Sequence, residues 1–167
     1  MGVKEVRAFF ADRGLPYTVR ELEKSTETVE LAAQTLGVEP ALIAKTLAFR
    51  VKEKGIILVT RGDARVDTKK FRQAFQAKPR MMTPDEVLAV TGHPVGGVCP
   101  FALKQPMEIF LDESLKPLET VYPAAGSPNS HIAISPGELA LITRASWVDV
   151  CRGSREEVMH PPARGTG

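Results

Sequence analysis

The stretch Val95-Gly96-Gly97-Val98-Cys99-Pro100-Phe101-Ala102 constrains this chain more than any other. Two adjacent glycines admit backbone with φ > 0 and let another group approach closely. Pro100 fixes the exit of the loop and removes one backbone donor. A loop this apolar has to be covered rather than solvated, so it is expected to form a pocket wall. A second stretch, Pro40 to Phe49, is apolar except for Lys45 and the hydroxyl of Thr46. The expectation is that Lys45 and the glycine loop face each other across one site.

The remaining chain supplies short elements of both kinds. Val3, Val6, Phe9 and Phe10 follow helical spacing over residues 3–13, with Gly14 as the stop. Tyr17–Leu22 has strand character. Ser25 to Thr28 offers caps for a helix ending at Gly37, and Pro40 suits the first turn of a short helix through Ala44. Thr46–Val51 alternates, Lys52–Gly55 supplies a turn, and Ile56–Thr60 returns as a buried strand, which together predict a hairpin. Asp67 caps a helix to about Gln76 with Phe71, Ala74 and Phe75 inward. Thr83-Pro84-Asp85-Glu86 is a capping box for a helix stopping at Gly92. Strand candidates follow at Met107–Asp112, Thr120–Tyr122 and His131–Ile134. Ser135-Pro136-Gly137-Glu138 is another capping box, opening a last helix, and Trp147–Val150 closes the fold as a strand. Hairpins mixed irregularly with helices predict a mixed α+β or α/β sheet rather than a doubly wound parallel one.

At 167 residues the chain suits one domain, expected over residues 1–151, with a polar, Pro- and Gly-containing disordered tail over residues 152–167. Hydrophobic content of 43% against 25% charged is that of an ordinary globular protein. A net charge of +2 is too small to argue nucleic-acid binding by itself. The local exception is Lys69, Lys70, Arg72, Lys78 and Arg80, where no acid intervenes, and a phosphate backbone is one partner such a patch fits. Cys99 and Cys151 form no CxxC and the three histidines are scattered, so no metal or other cofactor is expected. Two cysteines in a chain of this size suit a reduced, cytoplasmic setting. The N-terminus lacks the apolar run of a signal peptide, and no stretch is apolar enough to cross a bilayer.

Common nucleotide-binding and hydrolase motifs are absent. Cys99 with His93 or His131 is a conceivable nucleophile and base, although a cysteine among apolar residues is more often inert. His131, at the start of a strand beside the small-residue loop Pro123–Ser130, fits a structural role or a pocket role. Asp63 and Asp67 suit a turn and a cap more than a general acid/base pair. Lys45 alone fits an ordinary cation at a helix end. What remains is a pocket made mostly of backbone with one lysine and no evident general base, which suits chemistry driven by oriented water and backbone dipoles.

Taken together, Ile43-Ala44-Lys45-Thr46-Leu47, the GxxxP loop Gly96–Pro100 and the Ala125-Gly126 loop leading to Ser135-Pro136-Gly137-Glu138-Leu139 resemble the YbaK-like aminoacyl-tRNA deacylase family. That family is related to the editing domain inserted in bacterial prolyl-tRNA synthetases. The resemblance runs over roughly residues 1–151. It implies a mostly antiparallel, partly barrel-like mixed sheet surrounded by helices. It implies metal-independent hydrolysis of the ester joining a wrong amino acid to the 3′-terminal adenosine of a tRNA, with tRNA-Pro or a related tRNA as carrier. An aminoacyl-tRNA synthetase is a further implied partner, and a non-catalytic module binding such a tRNA or synthetase is the alternative.

Under the resemblance, Lys45 matches the functional lysine, anchoring the terminal nucleotide or the ester by charge. Gly96 and Gly97 supply backbone to the reacting group. Val98, Cys99, Pro100, Ala102, Ala125, Gly126, Ser127 and His131 would surround the aminoacyl group. Members acting on cysteine carried by proline tRNA commonly have Ser before the loop proline, Gly two residues after it, and a basic residue after the later glycine. Here those positions are Cys99, Ala102 and Ser127-Pro128. Substrate choice is therefore expected to be decided at Cys99 and Ala102, toward a small amino acid among alanine, serine, threonine and cysteine.

Overall fold

A computed structural model describes residues 2–152. Helix α1 (Val3–Asp12) leads through β1 (Arg20–Glu21) to α2 (Val29–Leu36) and one 3-10 turn at Pro40–Leu42. Strands β2 (Ile43–Val51) and β3 (Lys54–Arg61) follow, then β4 (Arg65–Val66), α3 (Thr68–Phe75) and α4 (Pro84–Thr91). Strand β5 (Glu108–Asp112), a 3-10 turn at Glu113–Leu115, β6 (Tyr122–Pro123), β7 (Ser130–His131), α5 (Pro136–Thr143), β8 (Ser146–Val148) and β9 (Cys151–Arg152) complete it.

The central sheet has the order β6-β2-β3-β5-β8, and β1–β7 and β4–β9 form two-stranded ribbons. The mixed, curled sheet with surrounding helices agrees with the expectation. Antiparallel pairing makes both ribbons and the long β2–β3 ladder. Within the central sheet, however, β2–β6, β3–β5 and β5–β8 are parallel. The reason is the length between partners. Helices α3 and α4 lie between β3 and β5, and α5 lies between β5 and β8, which is the span a parallel return requires.

Helix starts follow the capping side chains. Leu31 N donates to Thr28 Oγ1 (3.1 Å), Lys70 N to Asp67 Oδ1 (3.0 Å) and Glu138 N to Ser135 Oγ (3.2 Å). Among the described helices only Thr83 forms a full capping box, with Glu86 Oε1 accepting from Thr83 N at 2.9 Å. Helix α3 buries Phe71 and half-buries Phe75, one turn apart, whereas Ala74 is exposed rather than inward.

Several strand boundaries differ from the sequence-based expectation, two of them at the ends of β2. The hairpin turn is two residues, Lys52-Glu53, because Val51 pairs with Lys54, and Lys52 takes φ +57°. The turn at Pro40 closes after one 3-10 turn, so β2 already begins at Ile43, which pairs with Tyr122 of β6. Lys45 therefore sits inside a strand, and a helix-end role for it falls away.

Alternation along β2 and β3 divides the core. Ala44, Ala48, Ile57 and Val59 face a cluster with Val6, Phe10, Phe101 and Leu139. Phe49, Ile56 and Leu58 face Phe71 and Val150 on the other side. The rings of Phe10 and Phe101, and of Phe49 and Phe71, each lie 5.0 Å apart. Buried Asp112 joins the C-terminal segment to this core, accepting from Val150 N at 2.8 Å and Ser114 N at 2.9 Å. Arg152 still pairs with Arg65 in the β4–β9 ribbon. Residues 153–167, most of the expected tail, lie outside the described residues. Among the described residues, no helix is long and apolar enough to cross a membrane.

Candidate functional site

The outer edge of β2 is paired at both ends and open in the middle. Ala44 lies in the parallel pairing with β6. Further along, Met82 N donates to Ala48 O (3.0 Å) and Arg50 N to Arg80 O (2.8 Å). Backbone polar groups on a strand alternate in direction, so those of Thr46, like those of Ala48 and Arg50, point away from β3. Among the described residues, no backbone bond from another segment meets Thr46 on that side. A cavity of about 510 Å3 occupies this gap. Its walls come from α2 (Val29, Ala32, Leu36), the start of α4, the Met81-Met82 segment, Tyr122 and the glycine loop.

Lys45 lines this cavity together with Gly96, Val98 and His131. The Lys45 ammonium donates to the Ala64 carbonyl at 2.6 Å, which fixes the side chain. Burial pulls its pKa down and Arg65 adds to this, while Asp63 and Glu30 act in the opposite direction. His131 is buried, and burial followed by the nearby Arg20 charge lowers its pKa. Its Nδ1 has no hydrogen-bond partner among the described residues.

The glycines of the loop have different tasks. Gly96 takes φ +93°, and a Cβ there would lie 2.8 Å from Glu27 Cβ. Gly97 does not line the cavity. It packs on the second loop so closely that a Cβ would fall 2.4 Å from Ser127 N. Gly126 N donates to Gly97 O at 3.0 Å, which ties the two loops together.

Several expected pocket residues lie behind the wall instead. Cys99, Pro100, Ala102, Ala125, Gly126 and Ser127 do not line the cavity, although Ala124 and Ser130 of the second loop do. Val98 lines the cavity, whereas its neighbour Cys99 is sealed in the core at 0% exposure. The Cys99 thiol lies 3.6 Å from His93 Nε2 and 3.8 Å from Phe101 O. Burial pushes this thiol up to about 12, so the pair is not a poised nucleophile and base. Ala102 is half-buried at the edge of the main core and holds φ +53°, a conformation that glycine adopts without strain. Cys99 and Ala102 therefore lie behind the cavity wall, where they support the loop rather than line the cavity.

The basic patch is also narrower than its sequence suggests. Lys70 is occupied, donating to Asp149 Oδ1 at 3.1 Å and Cys151 O at 3.0 Å. Lys69, Arg72, Lys78 and Arg80 have exposed side chains and no ion pair among the described residues. Among those residues, no group of three or more His, Cys, Asp or Glu is arranged to hold a metal ion.

Sequence reasoning passed over Glu27 and the open edge at Thr46. Glu27 stands just before a capping threonine, where an acid is unremarkable. The gap at Thr46 depends on where β6 and the residue 80–82 segment stop, which no local pattern encodes.

Comparison with known proteins gives a consistent picture. The sequence model described as "Aminoacyl-tRNA editing domain" matches residues 23–141. The uncharacterized protein YwhH of Bacillus subtilis is 47% identical over 154 residues, spanning 91% of this chain and 98% of YwhH. The proline--tRNA ligase of Bacillus licheniformis is 28% identical over 125 residues, 72% of this chain but only 22% of the ligase. A crystal structure of a protein provisionally described as a trans-editing enzyme for prolyl tRNA synthetase superposes with a TM-score of 0.84 at 32% identity. That superposition covers 91% of this chain and 98% of the other.

Proposed function

This chain belongs to the aminoacyl-tRNA editing domain family, and from that premise we propose that it hydrolyses mischarged tRNA carrying a small amino acid, acting in trans on tRNA-Pro or a related tRNA in the cytoplasm. The observation that carries this reading is the shared cavity: Lys45, Gly96, Val98 and His131 meet at the unpaired edge of β2. Apolar walls suit a small side chain, while the Thr46 N–H offers a donor to the ester carbonyl oxygen and the Thr46 C=O an acceptor for the attacking water. The Lys45 charge would hold the electron-rich ester or the terminal nucleotide.

In the proposed reaction a water adds to the ester carbonyl carbon and the bond to the ribose oxygen breaks. The ribose oxygen takes up a proton, releasing tRNA and free amino acid. No metal is needed in this scheme, because the ribose is a competent leaving group once its oxygen is protonated. Closely packed backbone and one fixed cation match a reaction governed by positioning and electrostatics.

A panel of mischarged tRNAs tests the proposal with wild type, Lys45→Ala and Cys99→Ala. Wild type should release a small amino acid, Lys45→Ala should not, and Cys99→Ala should retain turnover. Binding of the tRNAs without release by wild type would make the chain a recognition module instead. Loss of turnover in a folded Cys99→Ala protein would contradict the sealed position of that thiol.

The exposed cations of α3 offer a second test. Lys69→Ala combined with Arg72→Ala should raise KM for tRNA substrates and reduce the log–log salt slope by about 2, roughly one for each phosphate no longer neutralised. An unchanged slope would remove α3 from the tRNA interface.

A further inference from the structure

We infer that the Glu27 carboxylate receives the α-ammonium group of the aminoacyl ester and thereby sets the direction in which substrate lies in the cavity. The inference rests on the deacylase reading above and adds a specificity-determining residue to it.

Among the described residues lining the cavity, Lys45 and Glu27 alone carry formal charge, since burial disfavours the charged form of His131. An aminoacyl ester brings a cationic ammonium next to its carbonyl and an anionic phosphate further along. A cation left unpaired against apolar walls is costly. Lys45 repels an ammonium and attracts the phosphate or the electron-rich ester, so Glu27 is the complementary partner left for the amine. Glu27 is exposed at the rim of the cavity, and its carboxylate has no ion pair or side-chain hydrogen bond among the described residues, so it is free to take an ammonium there.

The backbone around Glu27 is held firmly. Glu27 N donates to Ser25 Oγ at 3.1 Å, Thr26 Oγ1 donates to Pro128 O at 3.1 Å, and Thr28 caps α2. Glu27 also lies directly on the glycine loop. A Cβ at Gly96 would fall 2.8 Å from Glu27 Cβ and 3.6 Å from its Oε2. The bare Cα of Gly96 thus leaves room for the acid at the cavity wall, which gives the first glycine of the loop a reason beyond its φ.

Two non-hydrolysable probes separate this role from a structural one: 3′-alanylamido-adenosine and its lactyl counterpart, in which a hydroxyl replaces the ammonium at almost the same size. Calorimetric titration of wild type should show tighter binding of the alanyl probe. Glu27→Gln should reduce that preference by about threefold to fivefold, the scale of one ion pair at an exposed rim. Glu27→Asp should restore part of it. A general loss of packing would weaken both probes alike and leave their ratio unchanged, and that result would overturn the inference. So would failure of wild type to bind either probe. Because binding is read without turnover, the ratio remains measurable even if no mischarged tRNA is hydrolysed, a result that would overturn the deacylase reading alone.

Discussion

Lys45→Ala should lower kcat/KM for deacylation by about a hundredfold or more, the range seen when one preorganised electrostatic group is removed from a reacting centre. The ammonium of Lys45, carried on β2, is fixed 2.6 Å from the Ala64 carbonyl in the turn after β3, so its position costs little reorganisation when substrate arrives. Lys45→Met keeps most of the side-chain packing and removes only the charge. Its activity should fall as far as that of the alanine variant, while its thermal midpoint stays near wild type. Lys45→Arg should not rescue, because a planar guanidinium cannot present a compact charge at the same point. Full activity in the methionine variant would remove charge from the mechanism.

Gly97→Ala should be the most disruptive small substitution in the site. A Cβ there would meet Ser127 N, Cα and C at 2.4, 2.5 and 2.7 Å, and all three are backbone atoms. The loops must separate, which strains the Gly126 N to Gly97 O bond. A loss of about 2–3 kcal/mol is expected, or a fall in Tm of about 5–10 °C for a chain of this size. Deacylation should fall with it, because Gly96 and Val98 flank the displaced residue. Gly137→Ala is the internal comparison. Nothing lies within 4 Å of a Cβ at Gly137, in the first turn of α5, so that change should be neutral or slightly stabilising. Differential scanning calorimetry with a deacylation assay distinguishes the two. Equal Tm values would mean the loops yield without cost.

The parts of this molecule that were legible in its sequence are those encoded by neighbours in the chain. Thr28, Asp67, Thr83 and Ser135 announced their helices because a capping hydroxyl or carboxylate needs only the next three residues. Alternation at Leu47, Phe49 and Val51 announced β2 in the same way. The start of that strand was not legible, because Ile43 is extended by pairing with Tyr122, nearly eighty positions later. Lys70 looked free because its acid, Asp149, comes from the other end of the described chain. Lys45 and the glycine loop could be matched from their composition, since both are apolar stretches with one unusual feature. That Val98 lines the cavity while Cys99 enters the core depends on how the loop rests on Ser127, which is a tertiary fact.

The interruption in pairing at Thr46 also makes the strand its own reporter. The amides of Lys45 and Leu47 point toward β3 and take part in its ladder, whereas the Thr46 amide points into the cavity. In hydrogen–deuterium exchange the middle of the longest ladder should therefore contain one rapidly exchanging proton between two slow ones. Occupation of the cavity by an aminoacyl group should slow that proton selectively, giving a residue-resolved signal of binding that requires neither turnover nor labelled tRNA.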